Sequence, residues 1–356
     1  MDTKPLALVI CGGTINEVPD ATTGKLGMAK KAEDFLNFVP EIGEMGDFDT
    51  LVFENIDSSQ SDPMVWTRLA IFLKDILKKY SGIVVTHGTD TMAESATAIS
   101  LVFAKKLRIP IVFTGAQLPM VDHLTDGKRN LIGAFIVAKK AALEGVTEVM
   151  IYFDHQVFRA NRTWKKSEKD FNTFSSGSFP LLAYVNASPA WKNNSEHWNK
   201  AVFHPASIRN VGDAQGEFGL QFGEGVFVTD LYPGTPPEFL TAGIKSGCCK
   251  GLILKAMGAG NIPYLNPRYD LRPVIKMAVS MSIPVLITLK FPDGMASSSA
   301  IYEAGQVALD AGAIPTGDMV HEAAYVKLLY AMGLGFRSPN EAKILMHTPM
   351  AGEITV

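Results

Sequence analysis

Leu6-Ala7-Leu8-Val9-Ile10-Cys11 is an unbroken run of six apolar residues that leads straight into Gly12-Gly13-Thr14. A strand with one wet face alternates apolar and polar positions. A run with no polar position suits burial on both faces, as in a parallel sheet covered by helices. Comparable β-rich runs follow at Leu51 to Glu54, Ile83 to Thr86, Ile111 to Thr114 and Val149 to Phe153, with helical stretches between them. The pattern predicts an α/β fold built on a large, mostly parallel N-terminal sheet.

The clearest helix is expected to start at Asp62 as its N-cap with Pro63 in the first turn. It carries Trp66, Leu69, Ala70, Leu73, Ile76 and Leu77 on one face and Arg68, Lys74, Asp75 and Lys78 on the other. A second helix is expected after Asp126, with Leu131, Phe135 and Ile136 as its inner stripe. From about Asn186 to Gly225 the period fails, interrupted by Asn193, Asn194, Ser195, Pro205, Gly212, Gly216 and Gly219. The expected organisation is an N-terminal α/β domain over 1–190 that carries the site, a linker over 191–225, and a smaller C-terminal α/β domain over 226–356. In that smaller domain Val226 to Leu231, Gly251 to Leu254 and Pro284 to Leu289 read as strands, with helices after Pro236, Pro267, Ser299 and Asp318. A length of 356 residues fits two domains at roughly 150 residues each.

Thirty-three basic against 36 acidic residues leave a net charge of -3. That balance offers no electrostatic footprint for nucleic acid or an anionic membrane, so a small molecule is the expected partner. With 47% hydrophobic and 19% charged residues, each domain can bury a core without metal or disulfide staples. The three cysteines, Cys11, Cys248 and Cys249, make no disulfide framework, because adjacent cysteines bridge only with strain. Leu6 to Cys11 is shorter than a signal peptide's apolar stretch, and no run approaches the roughly 18 residues that span a bilayer. A cytoplasmic protein is expected.

In open α/β sheets ligands bind beyond the carboxyl ends of the strands. Four such ends are small, polar or rich in hydroxyls: Gly12-Gly13-Thr14, Asp57-Ser58-Ser59, His87-Gly88-Thr89-Asp90-Thr91 and Thr114-Gly115-Ala116-Gln117. A dinucleotide fingerprint is excluded, since Gly12-Gly13 lacks the third glycine and Gly258-Ala259-Gly260 has Pro263 in its place. Thr91 and Glu94 have capping-box spacing, which assigns Thr91 to a helix terminus. Asp90 either caps the same helix or carries chemistry with Thr89. His87 reads as structural. Asp122, His123 and Asp126 read as a loop ending in a helix cap rather than as metal ligands, and neither metal nor organic cofactor is expected.

Gly12-Gly13-Thr14-Ile15, His87-Gly88-Thr89-Asp90-Thr91-Met92, Thr114-Gly115-Ala116-Gln117 and Leu231-Tyr232-Pro233-Gly234, in that order and spacing, resemble the bacterial-type L-asparaginase family. Asp57-Ser58-Ser59 and Asn161-Arg162-Thr163-Trp164, leading to Lys165, are similar to its type I, cytoplasmic branch. The similarity runs from about residue 5 to about residue 350. It implies hydrolysis of L-asparagine to L-aspartate and ammonia, with Thr14 attacking from a mobile first loop. It also implies that Thr89 activates the water or the intermediate, that Lys165 accepts its proton once burial lowers the lysine's pKa, and that Asp90 orients the lysine and binds the substrate's amino group. Asp57, Ser58 and Ser59 would hold the α-amino and α-carboxylate groups. Backbone N–H groups around Gly88, Thr89 and Ala116 would face the developing oxyanion. Asn261 would come from a neighbouring subunit, which implies a homodimer or homotetramer.

Two departures from the family pattern stand out. Residues 15 to 40 contain no tyrosine, and Lys25 stands where the family's loop tyrosine falls. Trp164 stands where the type I branch has a small hydroxyl residue. The first departure keeps open a non-catalytic or weakly catalytic sensor that binds asparagine or aspartate. A related enzyme reading is the amidase subunit of a tRNA-dependent amidotransferase, although such subunits carry an extra N-terminal domain and here Gly12 comes early. Asparagine and glutamine differ by one methylene, worth only about 1–3 kcal/mol in a pocket, so their ranking is not legible in sequence.

Overall fold

The computed structural model describes residues 4–20, 23–29, 31–177, 179–185, 218–291, 294, 296, 303–336 and 338–355, together with the backbone of 201–203. Two compact units are present, Met1–Phe218 and Gly219–Val356. Most of the segment 191–225 lies outside the described residues, as does Ser299.

In the first unit the strands are β1 (Leu6–Gly12), β2 (Glu17–Pro19), β3 (Leu26–Met28), β4 (Phe48–Ile56), β5 (Gly82–Thr86), β6 (Ile111–Thr114), β7 (Val149–Phe153), β8 (Gln156–Arg159), β9 (Trp164–Lys165), β10 (Phe174–Ser175), β11 (Ala183–Val185) and β12 (Ala201–Phe203). The helices are α1 (Ala32–Leu36), α2 (Pro63–Ile76), α3 (Met92–Phe103) and α4 (Gly127–Glu144). The large sheet runs β12-β11-β8-β7-β6-β5-β1-β4. From β4 to β7 neighbouring strands are parallel, and β8, β11 and β12 extend the sheet antiparallel. β2 and β3 form a separate hairpin, and so do β9 and β10.

β1 shows why the apolar run had to sit inside. Strand residues alternate between faces, and here both sets are covered: Leu6, Leu8 and Ile10 on one side, Ala7, Val9 and Cys11 on the other, none more than 6% exposed. The first set shares a core with Val84, Val112 and Met150 and with Leu131, Ala134, Phe135 and Ala138 of α4. Each fully buried large aliphatic or aromatic side chain contributes about 1.5–3 kcal/mol. α2 begins as expected, with the Asp62 carboxylate accepting from the N–H groups of Met64 (2.8 Å) and Val65 (2.9 Å). Trp66, Leu69, Ala70, Leu73 and Ile76 form its buried face, while Leu77 is half-buried. α4 stops at Gly145, whose left-handed backbone (φ 70°) lets its N–H reach the carbonyls of Ala141 and Ala142.

In the second unit β13 (Val226–Asp230), β14 (Gly251–Ala256), β15 (Val285–Leu289) and β16 (Ile314–Pro315) form a four-stranded parallel sheet in sequence order. The helices are α5 (Pro237–Lys245), α6 (Arg272–Ser280), α7 (Glu303–Asp310), α8 (His321–Gly333) and α9 (Pro339–His347). Leu252, Leu254, Val285 and Ile287 pack with Leu240 and Ile244 of α5 and Ile275 of α6, whereas Ile253, Leu286 and Ile314 pack with Ala324 and Leu328 of α8 and Met346 of α9. Lys327 on α8 reaches through this second core to Glu353. Nζ lies 2.6 Å from Oε1, and neither side chain is exposed. The same Nζ donates to the carbonyls of Met346 (2.9 Å) and Thr348 (2.8 Å), and the Glu353 carboxylate accepts from the N–H groups of Met350 and Ala351. Among the described residues no helix is long and apolar enough to cross a membrane.

Candidate active site

β6, β5, β1 and β4 are adjacent and parallel, so their carboxyl ends lie along one edge of the sheet. The chain passes from β1 to β4 on one side and then crosses to β5 on the other. That reversal opens a crevice at the end of β1. The four loops singled out in the sequence follow these four strands.

Glycine allows the loops to meet. Gly12 has φ 99°, and Gly13 has φ 85° and ψ 170°, a region that side-chain-bearing residues avoid. A Cβ on Gly13 would stand 2.3 Å from the Gly88 nitrogen and 2.4 Å from its Cα, and one on Gly88 would stand 2.5 Å from Ser58 Oγ. The Gly13 and Gly88 loops therefore touch backbone against backbone, with the Ser58 side chain packed on Gly88, and residues 13–14 lie on the same side of the molecule as residues 88–89. Gly13→Ala combines a forbidden conformation with a backbone collision. It should cost about 2–4 kcal/mol of stability in urea unfolding.

Thr14 is half-buried and begins a short 3-10 turn, Thr14–Asn16. Asn16 is fully buried beneath it, and its Nδ2 donates to the Gly12 carbonyl at 2.9 Å and to Thr86 Oγ1 at 3.1 Å. The turn that presents Thr14 is thus pinned to the ends of β1 and β5.

Lys165 arrives from a different part of the chain. Residues 160–163 wedge against α3, where Asn161 Nδ2 donates to Ser100 Oγ at 2.9 Å, and the following strand β9 pairs Lys165 with Phe174 of β10. The Lys165 ammonium then donates to Thr89 Oγ1 at 2.9 Å, Asp90 Oδ1 at 2.6 Å and Glu168 Oε2 at 3.0 Å. All three of its N–H bonds find an acceptor. The lysine side chain is only 11% exposed while Asp90 is 54% exposed, so the pair runs from a sheltered amine out to solvent. Thr89 Oγ1 also lies 3.5 Å from Gln117 Oε1. Asp90 is therefore a partner of Lys165 and no helix cap. Glu168 was not singled out in the sequence, where an acidic residue three positions after a lysine is an ordinary surface pair.

Two helix-terminus readings are corrected. Thr91 occupies the N-cap position of α3, but its hydroxyl makes no capping bond; it donates instead to the Ser58 carbonyl at 2.7 Å, tying the β5 loop to the β4 loop. Asp126 occupies the N-cap position of α4, also without a capping bond. Its buried carboxylate accepts from the N–H groups of Gln117 (3.0 Å) and Leu118 (3.1 Å) and from Asn130 Nδ2 (3.0 Å), which braces the loop that carries Ala116. Burial pushes the Asp126 carboxyl above its usual range, against the opposing pull of those N–H donors. Both residues hold loops together because the side chain chose a partner across space over the local helix end.

Asp57 caps its own short turn, with Oδ1 accepting from the Ser59 N–H at 2.8 Å, and the Ser59 donors hold its carboxyl below the usual range. Ser58 is buried, and Asp57 and Ser59 are exposed. Glu17, directly after the Thr14 turn, has its carboxyl raised first by burial and then by the charge of Asp57. His87 is buried with Nδ1 2.8 Å from the Gly88 carbonyl, and burial lowers its pKa. Ala116 is buried. Lys25 lies exposed in the loop of the β2–β3 hairpin. Asn261 belongs to the second unit, where its N–H donates to the Met257 carbonyl at 2.7 Å. Among the described residues no cluster of three or more His, Cys, Asp and Glu side chains could hold a metal ion.

Comparison with known proteins adds an independent line. The family model described as "Asparaginase, N-terminal" matches residues 5–197, and that described as "Glutaminase/Asparaginase C-terminal domain" matches residues 225–346. The chain is 32% identical over 345 residues to an L-asparaginase of Thermococcus kodakarensis, covering 97% of each. It is 30% identical over 355 residues to a glutamyl-tRNA(Gln) amidotransferase subunit of Pyrococcus abyssi, covering 98% of this chain and 76% of that one. Some relatives are longer still, and this chain spans about half of their length. Among solved structures, L-asparaginase I of Vibrio cholerae superposes with a TM-score of 0.82 at 27% identity, over 99% of this chain and 100% of that one.

Proposed function

The chain belongs to the asparaginase family of amidohydrolases, and from that premise we propose that it hydrolyses L-asparagine to L-aspartate and ammonia through a threonine nucleophile. The observation that carries this reading is the Lys165 ammonium, held within 3 Å of both Thr89 and Asp90 beside the glycine contact that brings the Thr14 loop to theirs.

Thr14 Oγ attacks the side-chain amide carbon, and ammonia leaves an ester on Thr14. Backbone N–H groups around Gly88, Thr89 and Ala116 face the oxygen as it gains charge, and the Asp126 brace keeps that loop from yielding. In the second half, Thr89 takes a proton from the attacking water as its own passes to Lys165, which gives one to Asp90; on collapse the bond from the acyl carbon to Thr14 Oγ breaks and that oxygen takes the proton back through the same relay. With three acceptors around it, Lys165 works as a relay rather than as a stored free base. Asp57, Ser58, Ser59 and Asp90 hold the α-amino and α-carboxylate groups of the substrate. The acting form is a cytoplasmic homodimer or homotetramer in which a second copy supplies Asn261.

A coupled ammonia assay with L-asparagine, L-glutamine and D-asparagine tests the reading. Asparagine should turn over. Calorimetric binding of asparagine without any ammonia would replace hydrolysis with ligand sensing. The similarity to the Pyrococcus abyssi amidotransferase chain favours one second reading, a glutaminase half-reaction, which glutamine turnover exceeding that of asparagine would support.

A further inference from the structure

We infer that Asn130, on the buried face of α4, is a positioning residue of this site: it fixes the peptide between Gly115 and Ala116 so that the Ala116 N–H is presented to the oxygen that gains charge. The role rests on the hydrolytic reading above and adds to it the residue that holds the donor in place.

An amide is a costly choice at this position. Asn130 is fully buried on the same side of α4 as Ala134 and Ala138, where a polar group destabilises the fold unless its hydrogen bonds are met. Three separate segments meet them. Nδ2 donates to the Gly115 carbonyl at 3.0 Å and to Asp126 Oδ2 at 3.0 Å, and Oδ1 accepts from the Asp154 N–H at 3.2 Å, in the turn between β7 and β8. Turning the amide over would set Oδ1 against two oxygens, so its orientation is fixed.

The consequence falls on the loop after β6. The N–H groups of Gln117 and Leu118 are taken by the Asp126 carboxylate. The Ala116 N–H is left over: among the described residues no acceptor meets it, although Ala116 is only 2% exposed. Buried N–H groups without a partner are rare, and this one stands close to Thr89. A Cβ on Gly115 would lie 2.4 Å from the His87 carbonyl oxygen, and Gln117 Oε1 is 3.5 Å from Thr89 Oγ1. The 115–116 peptide is trans, and in a planar trans peptide the C=O and the N–H point to opposite sides. Because Asn130 holds the Gly115 carbonyl toward α4, the Ala116 N–H is aimed away from that helix. Rotating it out of that direction would break the Asn130 bond. A donor fixed before the charge develops needs no reorganisation at the moment of reaction.

Asn130→Ala releases the carbonyl and lets the peptide turn. On L-asparagine kcat should fall about 10-fold or more, short of the roughly 10²–10³-fold that follows outright loss of an oxyanion donor, with KM changing by less than about threefold. Asn130→Ser also loses the reach to Gly115 and leaves a smaller void, so it carries the test if Asn130→Ala does not fold. The readout that packing alone would not move is infrared. In Thr89→Val, the Thr14 ester formed from L-asparagine isotope-labelled at the amide carbon should show its carbonyl stretch below that of a model ester in an aprotic solvent, and adding either Asn130 substitution should raise it. A Thr89→Val band already at the aprotic position means that no donor faces the carbonyl, and it overturns the role of Asn130 without any Asn130 variant. So does a band unmoved by the substitutions, whatever the stability, or a kcat within about threefold of the parent; each leaves Thr14 in place as nucleophile. A parent that releases ammonia from none of the amides overturns the hydrolytic reading and this role with it.

Discussion

Thr14→Ala and Thr89→Val each lower ammonia release from L-asparagine by about 10³-fold or more, while the chain unfolds at nearly its original urea midpoint. Thr14 is half-buried at the start of a turn whose hold on the sheet comes from Asn16, so loss of its hydroxyl removes chemistry without removing an anchor. Valine has nearly the volume of Thr89, and the Lys165 ammonium keeps Asp90 and Glu168 as partners when that hydroxyl goes. The two variants differ in where they stop: without Thr14 no ester forms, and without Thr89 it forms and persists. Ammonia release at parental rates from both variants would remove the threonine mechanism altogether.

The largest loss of stability is expected at the opposite kind of site. Lys327→Met leaves the Glu353 carboxylate buried without its cation, and Glu353→Gln leaves the ammonium without its anion. Each should cost about 3–5 kcal/mol in urea unfolding. Replacing both together by apolar residues should recover much of that loss, because neither charge then remains in the core. The pair also sets an acid response. Burial would raise the Glu353 carboxyl, but the Lys327 charge and its N–H bonds, with those of Met350 and Ala351, outweigh this and hold it below its usual 4.5. A carboxyl depressed by folding contributes stability above its unfolded value and loses that contribution as the pH falls through the folded one. Stability of the parent should therefore drop on acidification below 4.5, and the doubly apolar variant should show a shallower drop. Equal acid slopes in the two would disprove it.

Sequence patterns carried far where one local rule acted alone. The unbroken apolar run of β1, the Asp62 cap and the inner stripe of α4 each follow from chain periodicity, and each is present. The antiparallel extension after β7 was not legible, because its turn uses Asp154 and His155 at positive φ (46° and 66°) where a glycine or asparagine would have marked it. Thr91 and Asp126 do stand at helix N-termini, but their side chains make no capping bond: capping spacing says nothing of a partner outside the helix, and Thr91 bonds the Ser58 carbonyl across the site while Asp126 turns back to the Gln117 and Leu118 backbone of the preceding loop. The strand-end hydroxyls could be found because parallel sheets gather such ends. Glu168 could not, because nothing in its own neighbourhood distinguishes it from a solvated residue.

The contact among Gly13, Gly88 and Ser58 also bears on redesign of the pocket. Segments packed this closely, main chain on main chain at Gly13 and Gly88 and side chain on main chain at Ser58, cannot be lengthened or swapped one at a time, since a shift in any one displaces its neighbours. Transplanting a new substrate preference into this scaffold would mean moving all three segments from one donor as a single cassette, while the outward-facing Glu168 remains open to piecemeal change.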